Sequence, residues 1–140
     1  MGTNKILLGG IAGAVLFFLL GWIVYGMLLM DYMAANTNQC MMKPMEEMNM
    51  GAMAAANLAQ GLFMAMLMSW TNTTDAMKGA KIGAIAGLLI CLAFDLQFFA
   101  MSTFFSNVNV LIIDCLVATV MMALGGAVIA WVMGMGKKSA

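Results

Sequence analysis

The chain has no histidine. That removes the usual haem ligand, the commonest zinc ligand and the most frequent general base. Charge is scarce as well, at 9% of residues against the ~25% of a soluble domain. Six basic and six acidic side chains cancel, and a net charge of zero argues against a nucleic-acid partner, because phosphate binding needs a basic surface. The three cysteines, at 40, 91 and 115, have no C-x-x-C spacing, so no zinc or iron–sulfur motif is readable. The sequence therefore predicts no metal, no cofactor and no catalytic residue.

What fills the chain is apolar, 64% of it. Runs at about 6–30, 51–70, 81–104 and 110–134 each reach the ~20 residues a helix needs to cross a ~30 Å hydrocarbon layer. A small soluble domain leaves too much of its surface exposed to hide them. The expectation is one transmembrane domain over residues 1–140, an all-α, up-down-up-down integral membrane four-helix bundle in contact with the lipid bilayer. The first run, about 25 residues after Lys5, is too long for a signal-peptide core and reads as a retained helix.

Lysines predict the orientation. Lys5, Lys78, Lys81, Lys137 and Lys138 fall on one side of four spans and only Lys43 on the other. The positive-inside rule then makes both termini and the loop near 71–80 cytoplasmic. Trp70 and Trp131 fall near the cytoplasmic ends of the second and fourth spans, where indole rings favour the headgroup region. The first loop, about 31–50, faces outward and is acidic through Asp31, Glu46 and Glu47. It holds the single proline, Pro44, which suits a first helical turn, so the second helix starts either near 44 or at 51. The link near 106–109 is short enough to make the third and fourth helices antiparallel neighbours.

Small residues gather in the cytoplasmic halves: Gly9 and Gly13, then Gly83 and Gly87, then Gly125. In lipid, helices associate largely through such packing faces. Gly9-Gly10-Ile11-Ala12-Gly13 also resembles Gly83-Ala84-Ile85-Ala86-Gly87, through either an old hairpin duplication or independent selection for a tight crossing. The outer halves are bulky with Trp22, Tyr25, Phe94, Phe98 and Phe99, which either line an outward cleft or simply fill a splayed core.

Polar groups share those outer halves. Counted from the helix ends, Asp95 and Gln60 lie about 13 to 15 Å deep, Asn57 about 9 Å and Asp114 about 7 Å. An aspartate at mid-membrane costs ~2.5 to 3.5 kcal/mol on insertion scales, so Asp95 should face the bundle and find Asn57, Gln60, Tyr25 or a water. Two roles stay open for it, a proton relay or cation ligand and a neutral acid stitching helices together. Asp114, nearer the interface, reads as structural. On the third helix Gly87, Cys91 and Asp95 share one face.

Methionine is abundant, 19 in all. Met41, Met42, Met45, Met48, Met50 and Met53 crowd the outer loop, and Met64 and Met68 follow one helical turn apart. Thioether sulfur is a soft Cu(I) ligand. It is also a flexible apolar filler, and core packing is the better explanation here.

The run Gly21-Trp22-Ile23-Val24-Tyr25-Gly26, then Asp31-Tyr32-Met33, resembles a family of small bacterial four-span membrane proteins of unknown function. Lys78-Gly79-Ala80-Lys81-Ile82-Gly83 and the glycine-rich fourth helix are similar too. The resemblance implies the four-span fold and a bacterial inner membrane, and it brings no activity with it. The leading expectation is a non-enzymatic membrane protein that forms a homo-oligomer or serves as an accessory subunit of a larger membrane complex. The alternative is a proton, cation or small-solute carrier built around Asp95, and a third reading is a Cu(I)-handling protein.

Overall fold

Helix α1 (Thr3–Ile23) runs on into one wide π-helical turn, Val24–Leu28, where Leu29 N reaches back five residues to Val24 O at 2.7 Å. The chain breaks at Leu29 and forms the short α2 (Met30–Asn36). The computed structural model describes residues 1–136. Lys137, Lys138 and Ala140 lie outside the described residues.

The remaining helices begin where a short polar side chain takes over a free backbone N–H. Asn49 accepts from Ala52 N at 2.9 Å and starts α3 (Met50–Trp70). Asp75 accepts from Lys78 N at 2.9 Å and starts α4 (Ala76–Met101). Asn107 accepts from Val110 N at 3.2 Å and starts α5 (Val108–Gly134). These caps decide one boundary left open and move another. The residues after Pro44 form a single 3₁₀ turn, Met45–Glu47, so α3 begins at Met50 and not at 44. The cap at Asp75 starts α4 ahead of 81, and Ser102 Oγ, donating to Phe98 O at 2.6 Å, closes it before 104. The link to α5 is thus 102–107.

Four helical stretches, Thr3–Leu28, Met50–Trp70, Ala76–Met101 and Val108–Gly134, are long and apolar enough to cross a membrane. No strand occurs among the described residues, only an isolated antiparallel bridge between Thr37 and Phe105. Around that bridge Asn38 N donates to Phe104 O at 2.8 Å and Ser106 N to Asn36 O at 3.1 Å. The long first loop is therefore tied to the α4–α5 link at one end of the bundle, here the loop end.

At the other end, that of the N-terminus, the helices close tightly. A Cβ on Gly83 would run into the carbonyl oxygen of Met122, and one on Gly79 into that of Gly126. Gly87 lies against Met122, Gly13 against Ile129, Gly9 against Met133 and Gly125 against the Phe17 ring. Both glycine motifs thus press on the same helix, α5, with α1 and α4 each antiparallel to it. Helix α3 rests on α1 through Gly61 and Gly10 and barely touches α4. Phe17, Met64, Ala65, Met68, Met122, Ile129, Ala130 and Met133 form the buried core of this half. Met64 and Met68 are fully buried filler there, while Met42, Met45, Met50 and Met53 are exposed.

Candidate functional site

The glycine contacts fix the register of α4 against α5, and the register builds the site. Gly83 faces Met122, and about two turns further along each helix Cys91 faces Asp114, its Sγ 3.8 Å from Asp114 Oδ2. Side chains on a helix lean toward its N-terminus. Asp95 accordingly leans back over Cys91, whose Sγ donates to Asp95 Oδ2 at 3.1 Å. Cys115 of α5 donates to the same oxygen at 3.5 Å.

From the turn that extends α1, Tyr25 completes the group, its hydroxyl donating to Asp114 Oδ1 at 2.6 Å. Tyr25 belongs to the π-helical turn, a feature that often marks functional positions. Three helices thus converge on five side chains: Tyr25, Cys91, Asp95, Asp114 and Cys115. Asp95 is 8% exposed and Cys115 3%. Among the described residues no buried side-chain nitrogen or oxygen lacks a hydrogen-bond partner.

Of the polar residues singled out in the sequence, Tyr25, Asp95 and Asp114 come together and Asn57 and Gln60 do not. Both lie on α3, which barely meets α4. Asn57 Nδ2 donates to Met53 O of its own helix at 2.8 Å, and Gln60 Nε2 points to Met122 Sδ at 2.8 Å. Asp95 takes its hydrogen bonds from the two thiols instead.

The site opens toward the loop end into a cavity of about 320 Å³, lined by Met41, Asp95, Phe98, Phe104, Phe105 and Asp114. Phe104 sits edge-on to Phe105 with ring centroids 4.9 Å apart. The loops stitched through Thr37 and Phe105 frame the opening. Of the aromatics, Phe98 thus lines a cleft, whereas Trp22 and Phe94 point outward and are exposed.

Comparison with protein-family models, with curated proteins and with solved structures finds no match. The chemistry rests on the residues themselves. Two carboxyl groups share one thiol neighbour, Cys91, and among the described residues no lysine is a hydrogen-bond partner of either. Lys78 and Lys81 are at the far end of α4, about 20 Å or more from Asp95 and about 15 Å or more from Cys91 along the helix. Two bare carboxylates so placed would repel strongly in a low dielectric. A proton held between them or a bound cation relieves this.

The sequence put Cys91 on one helical face with Asp95 but gave no reason to count either cysteine in the site, because Cys91 and Cys115 are far apart along the chain. The signal available was weaker: Cys91 is one turn before Asp95, and Cys115 follows Asp114 directly. Only the pairing of α4 with α5 makes the two cysteines neighbours.

Proposed function

We propose that this chain is a multi-pass protein of a bacterial cytoplasmic membrane, both termini inside, whose outward half holds a binding site for a cation. The observation that carries this is the meeting of Asp95 and Asp114 beneath a cavity, without a basic partner among the described residues. An intramembrane carboxylate is costly and is generally retained for ion or proton handling. The closely packed glycine half argues for binding from one side over free passage through a single chain. Without a histidine to act as base, the reading is binding, not catalysis.

The test is charge-selective thiol labelling on intact cells washed with a metal chelator, in a Cys40→Ser background. A small cationic methanethiosulfonate added outside should modify Cys91 faster than an anionic one of similar size, read site by site by mass spectrometry. The preference should vanish in Asp95→Asn/Asp114→Asn. Equal rates for the two reagents, or access from the cytoplasmic side alone, would defeat the proposal.

Assembly with a second copy or a larger complex is the second reading. Its support is α4, which packs along α5 and leaves Ile85, Leu89 and Leu96 exposed. The glycine faces that first suggested it are taken up by contacts within the chain.

A further inference from the structure

The cation site has a donor set more specific than two carboxylates. The Sγ atoms of Cys91 and Cys115 and a carboxylate oxygen of Asp95 all lie within 4.8 Å of one another. A tetrahedral zinc ion holds sulfur at about 2.3 Å and oxygen at about 2.0 to 2.2 Å, which places neighbouring S and O donors about 3.5 Å apart. In the structure the two S···O edges at Asp95 Oδ2 are 3.1 and 3.5 Å, and the edge from Cys91 Sγ to Asp114 Oδ2 is 3.8 Å. Both S···O edges of the three-donor group are thus close to what a tetrahedral ion requires, and Asp114 stands outside that group, next to Cys91. Tyr25, bonded to the other oxygen of Asp114, orients that flanking carboxylate.

Resting on the outward cation site, we infer that Cys91, Asp95 and Cys115 form a three-ligand site, flanked by Asp114, for a thiophilic divalent metal ion of the zinc class, with an open fourth position toward the cavity. Donor chemistry selects the ion. Calcium and magnesium take oxygen ligands and have no use for two sulfurs. Cu(I) prefers thiolate and thioether to carboxylate. Two thiols with carboxylates suit zinc, and cobalt(II) and cadmium(II) as its probes. Charge balances on binding: the ion brings two positive charges, Cys91 and Cys115 each release a thiol proton to the cavity, and the proton held between the two carboxyl groups stays on Asp114. The site therefore acquires no new net charge in a low-dielectric surrounding. Ligand deprotonation also makes the binding weaken as pH falls.

The test uses the full-length chain purified in mild detergent, with Zn²⁺, Co²⁺ and Cd²⁺ as probes. Wild type and Cys40→Ser should retain one ion per chain after desalting, give the thiolate-to-metal charge-transfer absorption with Cd²⁺, and release about two protons per ion. Cys91→Ser and Cys115→Ser should each lose stoichiometric retention and that absorption. Should either variant misfold, folded wild type blocked at its thiols with methyl methanethiosulfonate takes its place and must bind no metal. Absence of stoichiometric metal in wild type overturns the assignment, as does retention that survives loss or blocking of both thiols. Metal failure with the charge-selective labelling of Cys91 intact removes the metal assignment alone. Failure of both removes the cation site with it.

Discussion

Tyr25 in the π-helical turn that extends α1 and Asp114 on α5, 89 positions apart in sequence, are joined by a 2.6 Å hydrogen bond that ties the first helix to the last at the loop end. The glycine contacts of α1 with α5 lie at the opposite end, at Gly9 and Gly13. The two helices are therefore pinned twice, by close packing at one end and by a polar bond at the other. That bond also decides how Asp114 is presented to Cys91 and Asp95.

Tyr25→Phe removes the hydroxyl and little else. The expected cost is about 1 kcal/mol in stability, the net worth of a single hydrogen bond. Metal affinity should fall about 10-fold, as for loss of an outer-shell partner. Thermal unfolding and chelator competition read the two effects separately, and a variant identical to wild type in both would remove Tyr25 from the site.

Gly83→Leu should force α4 off α5, because the obstacle is the Met122 carbonyl and not a flexible side chain. We expect a loss of about 3 kcal/mol, at the upper end for overpacking. Since the same register sets Cys91 opposite Asp114, metal retention should fail together with the fold. Unaltered melting and migration in detergent would mean that this crossing is not tight.

At Asp95 the partners are thiols, which are weak donors. Asp95→Asn should fold normally, and Asp95→Leu should cost only about 1 kcal/mol, since the thiols lose little when they lose an acceptor. In vesicles carrying a pH-sensitive dye, wild type and Asp95→Asn should show the same proton leak. A leak present in wild type and absent in the folded mutant would favour a relay over one-sided binding.

Membrane orientation is checked at the loop. Cys40 is exposed in the turn Gln39–Met41, so an impermeant maleimide should reach it from outside. A tag placed after Ala140 should be detected only after the membrane is opened. Reaction of Cys40 from the cytoplasmic side alone would invert the orientation.

Changing Met42 and Met45 together to leucine should leave metal retention unchanged, because both are exposed and neither lines the cavity. Elemental analysis of the purified variant gives the answer. Loss of the metal would bring the outer methionines into the site.

The number of long helices, their all-α character and the approximate ends of each were legible in the sequence, because a 20-residue apolar run has few other uses. Gly83 and Gly87 on one face, and Asp95 as a group needing partners, were legible for the same reason: small size and isolated charge are properties of single residues. The caps at Asn49 and Asp75 carried a readable signal that hydropathy obscured, which is why α3 and α4 begin where they do and not at 44 or 81.

The composition of the site was decided by tertiary structure alone. Sequence depth put Gln60 level with Asp95 and Asn57 nearer the level of Asp114, yet depth says nothing about which helices touch, and α3 hardly meets α4. The packing of α4 on α5 through backbone contacts at Gly79 and Gly83 sets an antiparallel register, and that register brings Cys115 to Asp95 and Cys91 to Asp114. Apolar length determined that there would be four long helices. Which side chains meet between them was determined by where two backbones could approach without a Cβ in the way.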